Sequence, residues 1–352
     1  MPRPIQARID LSALEHNLQA ARRASGARIM AVIKAAAYGH GLLPAAEALG
    51  AADGFALLDL RDAIKLRDAG FRQTILLLEG FFTPDDLPPS VAHDFACVIH
   101  NAQQLAMLDS CPRRSALQVW LKINTGMNRL GFAPRDVPAA MEKLKRHTAV
   151  RDITLMTHFS HADEAAGVAA QLEVFDALAA PYRTARSLAN SAALLRYPAT
   201  HADWVRPGIM LYGASPFGPG GQPFGLKPAM TLQSRIISVR EIAAGECIGY
   251  SGTFCAPAPM RAGVVACGYA DGYPRHAPTG TPVLVEGQRS KTLGRVSMDM
   301  LSVDLSALPD ACVGSSVTLW GEGLPVEEVA QAAGTISYEL LCAVSGRVPL
   351  VY

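Results

Sequence analysis

The feature that most limits what this chain can fold into is an alternation, over residues 1–230, of short β-branched or apolar runs with longer amphipathic stretches. The runs fall at 29–33, 54–58, 74–78, 95–99, 117–122, 154–158 and 186–189, with a weaker one at 203–205. Such repeated strand–helix units build a parallel sheet, since a parallel connection has to cross back over the sheet and a helix fills that crossing. Eight units in about 200 residues match a closed (β/α)8 barrel better than an open doubly wound sheet. Past a Gly and Pro cluster at 216–228 the spacing tightens, with alternating segments at 231–239, 263–267, 281–285 and 316–319 and turns such as Gly245 and Gly287 between them. The expected fold is therefore a (β/α)8 barrel over 1–230 followed by a mostly β C-terminal domain over 231–352. Before the first barrel strand, Ser12 and Glu15 read as a capping box. Leu11, Leu14, Leu18 and Ala21 then share one helical face, and Gly26 ends the helix.

Composition narrows the partners. Half of the 352 residues are hydrophobic and 18% are charged, which supports a packed core rather than disorder. Lys and Arg number 32 against 31 Asp and Glu, a net charge of +1, so no excess positive charge draws a nucleic acid or an anionic membrane. No uncharged apolar stretch has the length of a membrane-spanning helix, and the N-terminal residues lack the apolar core of a secretory signal. The seven cysteines, at 97, 111, 247, 255, 267, 312 and 342, form neither a C-x-x-C pair nor a zinc-binding spacing. They read as reduced, mostly buried thiols, and the expected setting is the cytoplasm.

Candidate chemistry begins at 30–41, where an apolar strand ends in Lys34 and runs through Ala35, Ala36 and Ala37 to Tyr38 and a Gly39-His40-Gly41 turn. A lysine at the C-terminal end of a barrel strand, held in partly apolar surroundings, can lose its proton and condense with a carbonyl such as that of pyridoxal phosphate (PLP). Further segments follow in order: 121–131 with Lys122 and Arg129, 157–159 with His158, Asn190-Ser191-Ala192, Val205-Arg206-Pro207-Gly208-Ile209, Gly249-Tyr250-Ser251-Gly252, 268–273 with Tyr269, and Val296-Ser297-Met298-Asp299. Taken together and in this order they resemble bacterial alanine racemase, a PLP enzyme with a barrel and a β-rich second domain, and the resemblance runs essentially end to end.

The resemblance implies the following roles. Lys34 holds PLP and serves as base on one face of the substrate, while Tyr250 serves on the opposite face. Used near neutral pH, that tyrosine needs its phenolate stabilised by roughly 3 to 4 kcal/mol, and the resemblance implies a hydrogen-bond chain through His158 and Arg206 that does so. Arg206 faces the pyridine nitrogen and, unable to give up its proton, leaves it unprotonated. Asn190, Ser191, Gly208 and Ile209 surround the phosphate, joined by Tyr38 and Tyr338. Arg129 holds the substrate carboxylate beside a Lys122 that is often carbamylated in this family. Tyr269, Met298 and Asp299 stand at the pocket mouth, contributed by the other subunit of a homodimer with shared active sites. The implied substrate is alanine, and no metal is implied. The family usually has asparagine two residues after the PLP lysine; this chain has Ala36.

Three other readings compete. His158, His161 and Asp163 form an H-x-x-H-x-D pattern that would suit a two-metal hydrolase, yet the other strand ends offer only Asp59, Glu79 and His100, and such an enzyme has no use for Lys34 or Tyr250. A non-catalytic PLP-binding protein would be a barrel alone, without residues 231–352. A PLP decarboxylase of the related barrel fold would commonly set an acid at the pyridine nitrogen, where the resemblance sets Arg206.

Overall fold

The computed structural model describes residues 3–111, 115–220 and 224–352. Met1 and Pro2, and residues 221–223 within the Gly and Pro cluster, lie outside the described residues. Contacts divide the chain into two compact units: one of Glu15–Ala37 and Leu42–Leu211, the other of Met1–Leu14, Tyr38–Gly41 and Tyr212–Tyr352. The second unit thus takes in an N-terminal strand and residues ahead of 230, neither of which the boundary read from the sequence anticipates.

The first unit is the barrel. After the N-terminal strand β1 (Gln6–Ile9), strands β2 (Arg28–Val32), β3 (Gly54–Leu57), β4 (Thr74–Leu77), β5 (Phe95–Ile99), β6 (Leu117–Lys122), β7 (Val150–Met156), β8 (Ala185–Ser187) and β9 (Trp204–Val205) close in sequence order. Every neighbouring pair is parallel, and β9 returns to β2 at Arg28↔Trp204 and Ile29↔Val205. Strands β3 and β5 are buried along their whole length, as expected of strands covered on both faces.

The helix ahead of the barrel, Leu11–Ala24, buries Leu14, Leu18 and Ala21, but its cap differs from the expected Ser12 box. The Asp10 carboxylate accepts from the Ala13 N–H (3.1 Å) and from the Ser12 hydroxyl (2.7 Å), so Asp10 is the capping residue. A carboxylate presents a stronger acceptor than a hydroxyl to the unpaired N–H groups of the first turn, and the serine donates to it.

The second unit is built on an antiparallel sheet around β10 (Met230–Ile242), thirteen residues long. It continues through β11 (Cys247–Ile248), β12 (Phe254–Cys255), β13 (Met260–Val265), β14 (Pro282–Val285), β15 (Gln288–Leu293), β16 (Leu301–Asp304), β17 (Ser316–Trp320) and β18 (Leu350–Val351). The eight-stranded order is β13-β16-β15-β14-β17-β10-β1-β18, while β11 and β12 form a separate two-stranded ribbon. β10 pairs with β17 over Leu232–Arg235 and with β13 from Ile236 to Ile242, the latter ladder bulged between Ile236 and Ser238. Among the described residues no helix is long and apolar enough to cross a membrane.

The cysteines depart from the expectation. Cys247 and Cys255, directly opposed on β11 and β12, form a disulfide, and both are exposed. Cys97, Cys111 and Cys267 are buried thiols, whereas Cys312 and Cys342 are exposed. The bridged pair lies eight positions apart; the spacing carries no signal until the hairpin register sets the two side chains opposite each other.

Candidate active site

Lys34 follows β2 directly, and the backbone after it is unusual. Ala35, Ala36, Ala37 and Tyr38 have φ of 53°, 49°, 56° and 52°, a turn of left-handed helix made without glycine. L-residues pay roughly 1–2 kcal/mol each for this conformation, and strain of this kind gathers at functional sites. Both following positions favour glycine: a Cβ on Gly39 would sit 2.4 Å from the Leu341 carbonyl oxygen, and Gly41 has φ of 89°.

The ends of the other barrel strands bring basic groups together. Lys122 closes β6 and is only 7% exposed. Burial, then the charges of Arg206, Arg129 and Lys34, hold its amine down at about 8, opposed by Glu79 at the end of β4. His158, just past β7, is pushed well below the ordinary histidine range by burial and by Arg206, Lys122, Arg129 and Lys34, so it is neutral. His100, beyond β5, is lowered by burial and Lys122. Arg129 rides on a loop that doubles back: Phe132 N–H donates to the Lys122 carbonyl (2.8 Å) and Asn124 N–H to that of Phe132 (2.9 Å). The Asn124 amide oxygen accepts from Gly126 and Asn128 N–H and fixes the loop's tip. Arg129 itself is exposed.

Arg206 follows β9 and is buried; burial lowers its guanidinium to about 10, which leaves it charged at neutral pH. Its donors go to the Ser187 hydroxyl (2.5 Å) and to the carbonyls of Thr157 (2.6 Å) and Leu188 (3.1 Å). Arg206 makes no hydrogen bond to His158; three of its five N–H donors go to neutral acceptors on β8 and beside β7. At Asn190 the side-chain oxygen caps the helix Ser191–Arg196 through Ala193 N–H (3.0 Å) and the amide donates to the Phe159 carbonyl (3.1 Å). Ser191 is buried and its oxygen accepts from Gly208 N–H (2.8 Å), leaving the hydroxyl proton to donate elsewhere. Gly208 is thereby engaged, while Ile209 opens the short turn Ile209–Tyr212.

In the β-rich unit, Tyr38 is buried, stacks on Tyr212 (4.5 Å between centroids) and lies 6.1 Å from Tyr338; burial raises its hydroxyl above the usual tyrosine range. Tyr269 and Met298, 37% and 52% exposed, stand on two loops locked together by Tyr269 N–H to the Ser297 carbonyl (3.0 Å) and Ala270 N–H to that of Met298 (2.9 Å). Asp299, next to Met298, pairs its carboxylate with Arg347 (2.6 Å). Tyr250 projects from the β11–β12 ribbon and is 68% exposed.

Several supporting residues gave no signal in the sequence. Gln171 donates to the Thr125 hydroxyl and the His158 carbonyl and accepts from Ser160 N–H, which pins the loop after β7. Buried Asp271 accepts from Arg3 and from Gly268 N–H, forms an ion pair with Arg347, and holds the Tyr269 loop. A glutamine in an amphipathic helix and an aspartate in a turn look ordinary until the fold brings their partners near. His161, from the H-x-x-H-x-D pattern, is bonded to the neighbouring Ser160 hydroxyl (2.7 Å), and among the described residues no three His, Cys, Asp or Glu side chains converge as a metal site.

The family profile described as alanine racemase, N-terminal domain, matches residues 9–216, and that of the C-terminal domain matches 229–352. The chain belongs to the alanine racemase family. It is 60% identical to the alanine racemase of Nitrosospira multiformis and 56% to that of Nitrosomonas eutropha, covering all of this chain in both cases and 100% and 99% of the relatives. Among solved structures, a biosynthetic alanine racemase from Pseudomonas aeruginosa superposes with a TM-score of 0.97 at 48% identity, over 99% of each chain. The alanine racemase of Acinetobacter baumannii superposes at 0.94 with 38% identity, also over 99% of each. Membership makes the chain an isomerase, and it accounts for a barrel followed by a β-rich unit.

Proposed function

We propose that this enzyme interconverts L-alanine and D-alanine using PLP held by Lys34. The observation that carries the reading is the crowding around His158 of Lys34, Lys122 and Arg206, at the barrel's strand ends, and of Arg129 on the loop after β6. Cations packed this closely in a partly buried site call for anions, and a phosphorylated cofactor together with an amino-acid carboxylate supplies them. The donor set fits that cofactor: an amine for covalent attachment at Lys34, a buried hydroxyl with a proton to give at Ser191, and at Arg206 a cation that keeps a facing ring nitrogen unprotonated. Bound there, PLP supplies an electron sink that acidifies the proton on the substrate Cα.

The residues divide the remaining work. Lys34 and Tyr250 move the Cα proton from opposite faces, each acting as base for one enantiomer and as acid for the other. Arg129 takes the substrate carboxylate. Lys122, with a pKa of about 8, keeps a neutral fraction near pH 7 that can take up carbon dioxide; the carbamate so formed would accept from Arg129. Tyr269 and Met298 narrow the space for the side chain to a methyl group. A homodimer with shared sites is supported by the apolar surface that the β-rich unit exposes at Tyr250, Tyr269, Met298, Met300 and Ile336, of the kind a second copy covers. In that arrangement Tyr250 opposes the partner's Lys34. The test is incubation of purified protein and PLP with L-alanine, followed by chiral chromatography. Growth of D-alanine toward equal amounts is expected. Loss of carbon dioxide from the amino acid, or no reaction, overturns the reading.

A further inference from the structure

The loop that carries Tyr250 is closed at its base by the Cys247–Cys255 disulfide, and nothing in the alanine racemase reaction requires one. The ribbon beneath the loop is minimal: β11 and β12 pair over two residues each, extended by Gly245 N–H to the Ala256 carbonyl and Ala256 N–H to that of Glu246, both 2.8 Å. A two-stranded ribbon of this length is marginal by itself in water. Ile248 and the half-buried Phe254 anchor it to Ala262 and Leu293 in a small apolar cluster. Between those anchors the chain is held in a shape it would not choose. Gly249, Ser251 and Gly252 have φ of 77°, 62° and 51°, Ser251 without glycine's freedom, and Gly252 N–H to the Gly249 carbonyl (3.2 Å) is a long bond. A Cβ on Gly252 would lie 3.1 Å from the Cys247 Cβ, so the loop packs against the bridge itself.

We propose that Cys247–Cys255 is a redox-modifiable site: dithiols reduce it, and reduction releases the Tyr250 loop and slows racemisation. Both cysteines are exposed on the single chain, and exposed bridges are labile rather than permanent. In the reaction a reductant thiolate attacks one cysteine sulfur, the S–S bond breaks, and the other cysteine leaves as a thiolate that takes a proton. The reductant's second thiol then attacks the mixed disulfide and frees the first cysteine. Two electrons and two protons pass to the protein, and the reductant becomes a cyclic disulfide. Opening the bridge restores chain entropy to the segment between the cysteines, and Tyr250 then spends only part of its time in position. The inference rests on the proposed role of Tyr250 as second base.

The experiment uses the holoenzyme, oxidised with glutathione disulfide and then treated with dithiothreitol. Alkylation of denatured aliquots and intact mass should count five thiols before reduction, at Cys97, Cys111, Cys267, Cys312 and Cys342, and seven after. Over the same titration kcat should fall about tenfold, short of the roughly hundredfold cost of a fixed 1 Å misplacement, with KM little changed, and reoxidation should restore it. Cys312→Ser/Cys342→Ser should keep the response. Cys247→Ser/Cys255→Ser should stay at the reduced level with or without dithiol. Seven thiols after oxidation, or two thiols gained with no change in kcat, would overturn the proposal. A fully active Tyr250→Phe would instead overturn the role of Tyr250, so the two failures can be told apart.

Discussion

The left-handed turn after Lys34 makes an unusual demand: the same substitution, alanine to glycine, should stabilise the protein at one position and destabilise it at another. Ala36 is exposed, with φ 49° and ψ 47°. Alanine there costs roughly 1–2 kcal/mol that glycine avoids, against about 0.5–1 kcal/mol of extra backbone entropy that glycine loses on folding. Ala36→Gly should therefore gain about 0.5–1 kcal/mol. Ala177 is also exposed but lies inside the right-handed helix Ala169–Ala179, where glycine should cost about 1 kcal/mol. At about 2–4 °C per kcal/mol for a unit of this size, the two Tm values should separate by roughly 3–8 °C, with wild type between them. Ala36→Asn should also gain, since asparagine enters this region readily, whereas Ala36→Val should lose. Calorimetry of the PLP-loaded variants at one scan rate is the assay. If both glycine variants shift in the same direction, the turn is not held against its own backbone preference and the argument fails.

Lys34→Ala should remove the visible absorbance of bound PLP and racemisation together, as read by spectrophotometry and the chiral assay. The low pKa of Lys122 makes stability pH-dependent: between about 8 and the ordinary 10.5 the unfolded chain holds a proton that the folded one does not, so stability should rise with pH across that window. Lys122→Met should abolish the rise and gain roughly 3 kcal/mol near pH 7 in carbon dioxide-free buffer; an unchanged pH profile in denaturant unfolding would count against it. Lys34→Ala and Tyr250→Phe, each nearly inactive, should recover about a quarter of full activity when unfolded and reassociated together, because about half the dimers are mixed and one of their two sites is intact. No recovery after verified subunit exchange would place both residues in one chain.

Much of the barrel is legible in the sequence because its strands are buried on both faces: β5 and β6 begin and end where their apolar runs do. β7 starts four residues earlier than its apolar run, since Val150, Arg151 and Asp152 are at least partly exposed and pair through backbone alone. Lys34, Lys122 and Arg206 are legible as chemistry because a basic residue at a strand end is conspicuous. What each one bonds to is not. Arg206's acceptors are two carbonyls and a hydroxyl, Asp299's cation lies 48 positions away, and the Cys247–Cys255 pair depends on hairpin register. Those facts are settled by the meeting of distant segments, and local pattern does not encode them.

The strand β1 sits between β10 and β18, paired antiparallel at Ile9↔Met230 and parallel at Ala7↔Leu350. During synthesis its first hydrogen-bonding neighbour therefore emerges roughly 220 residues later, about 10 to 45 s at ordinary elongation rates, while the barrel strands can already close. For that interval a strand with two buried residues, Ala7 and Ile9, waits without a sheet. Its four-residue length and the charge of Arg8 in its middle are the features that discourage such a segment from pairing with a neighbouring nascent chain. Lengthening β1 or replacing Arg8 with an apolar residue would thus be felt first on the ribosome, as a lower soluble yield, before any change in the finished enzyme.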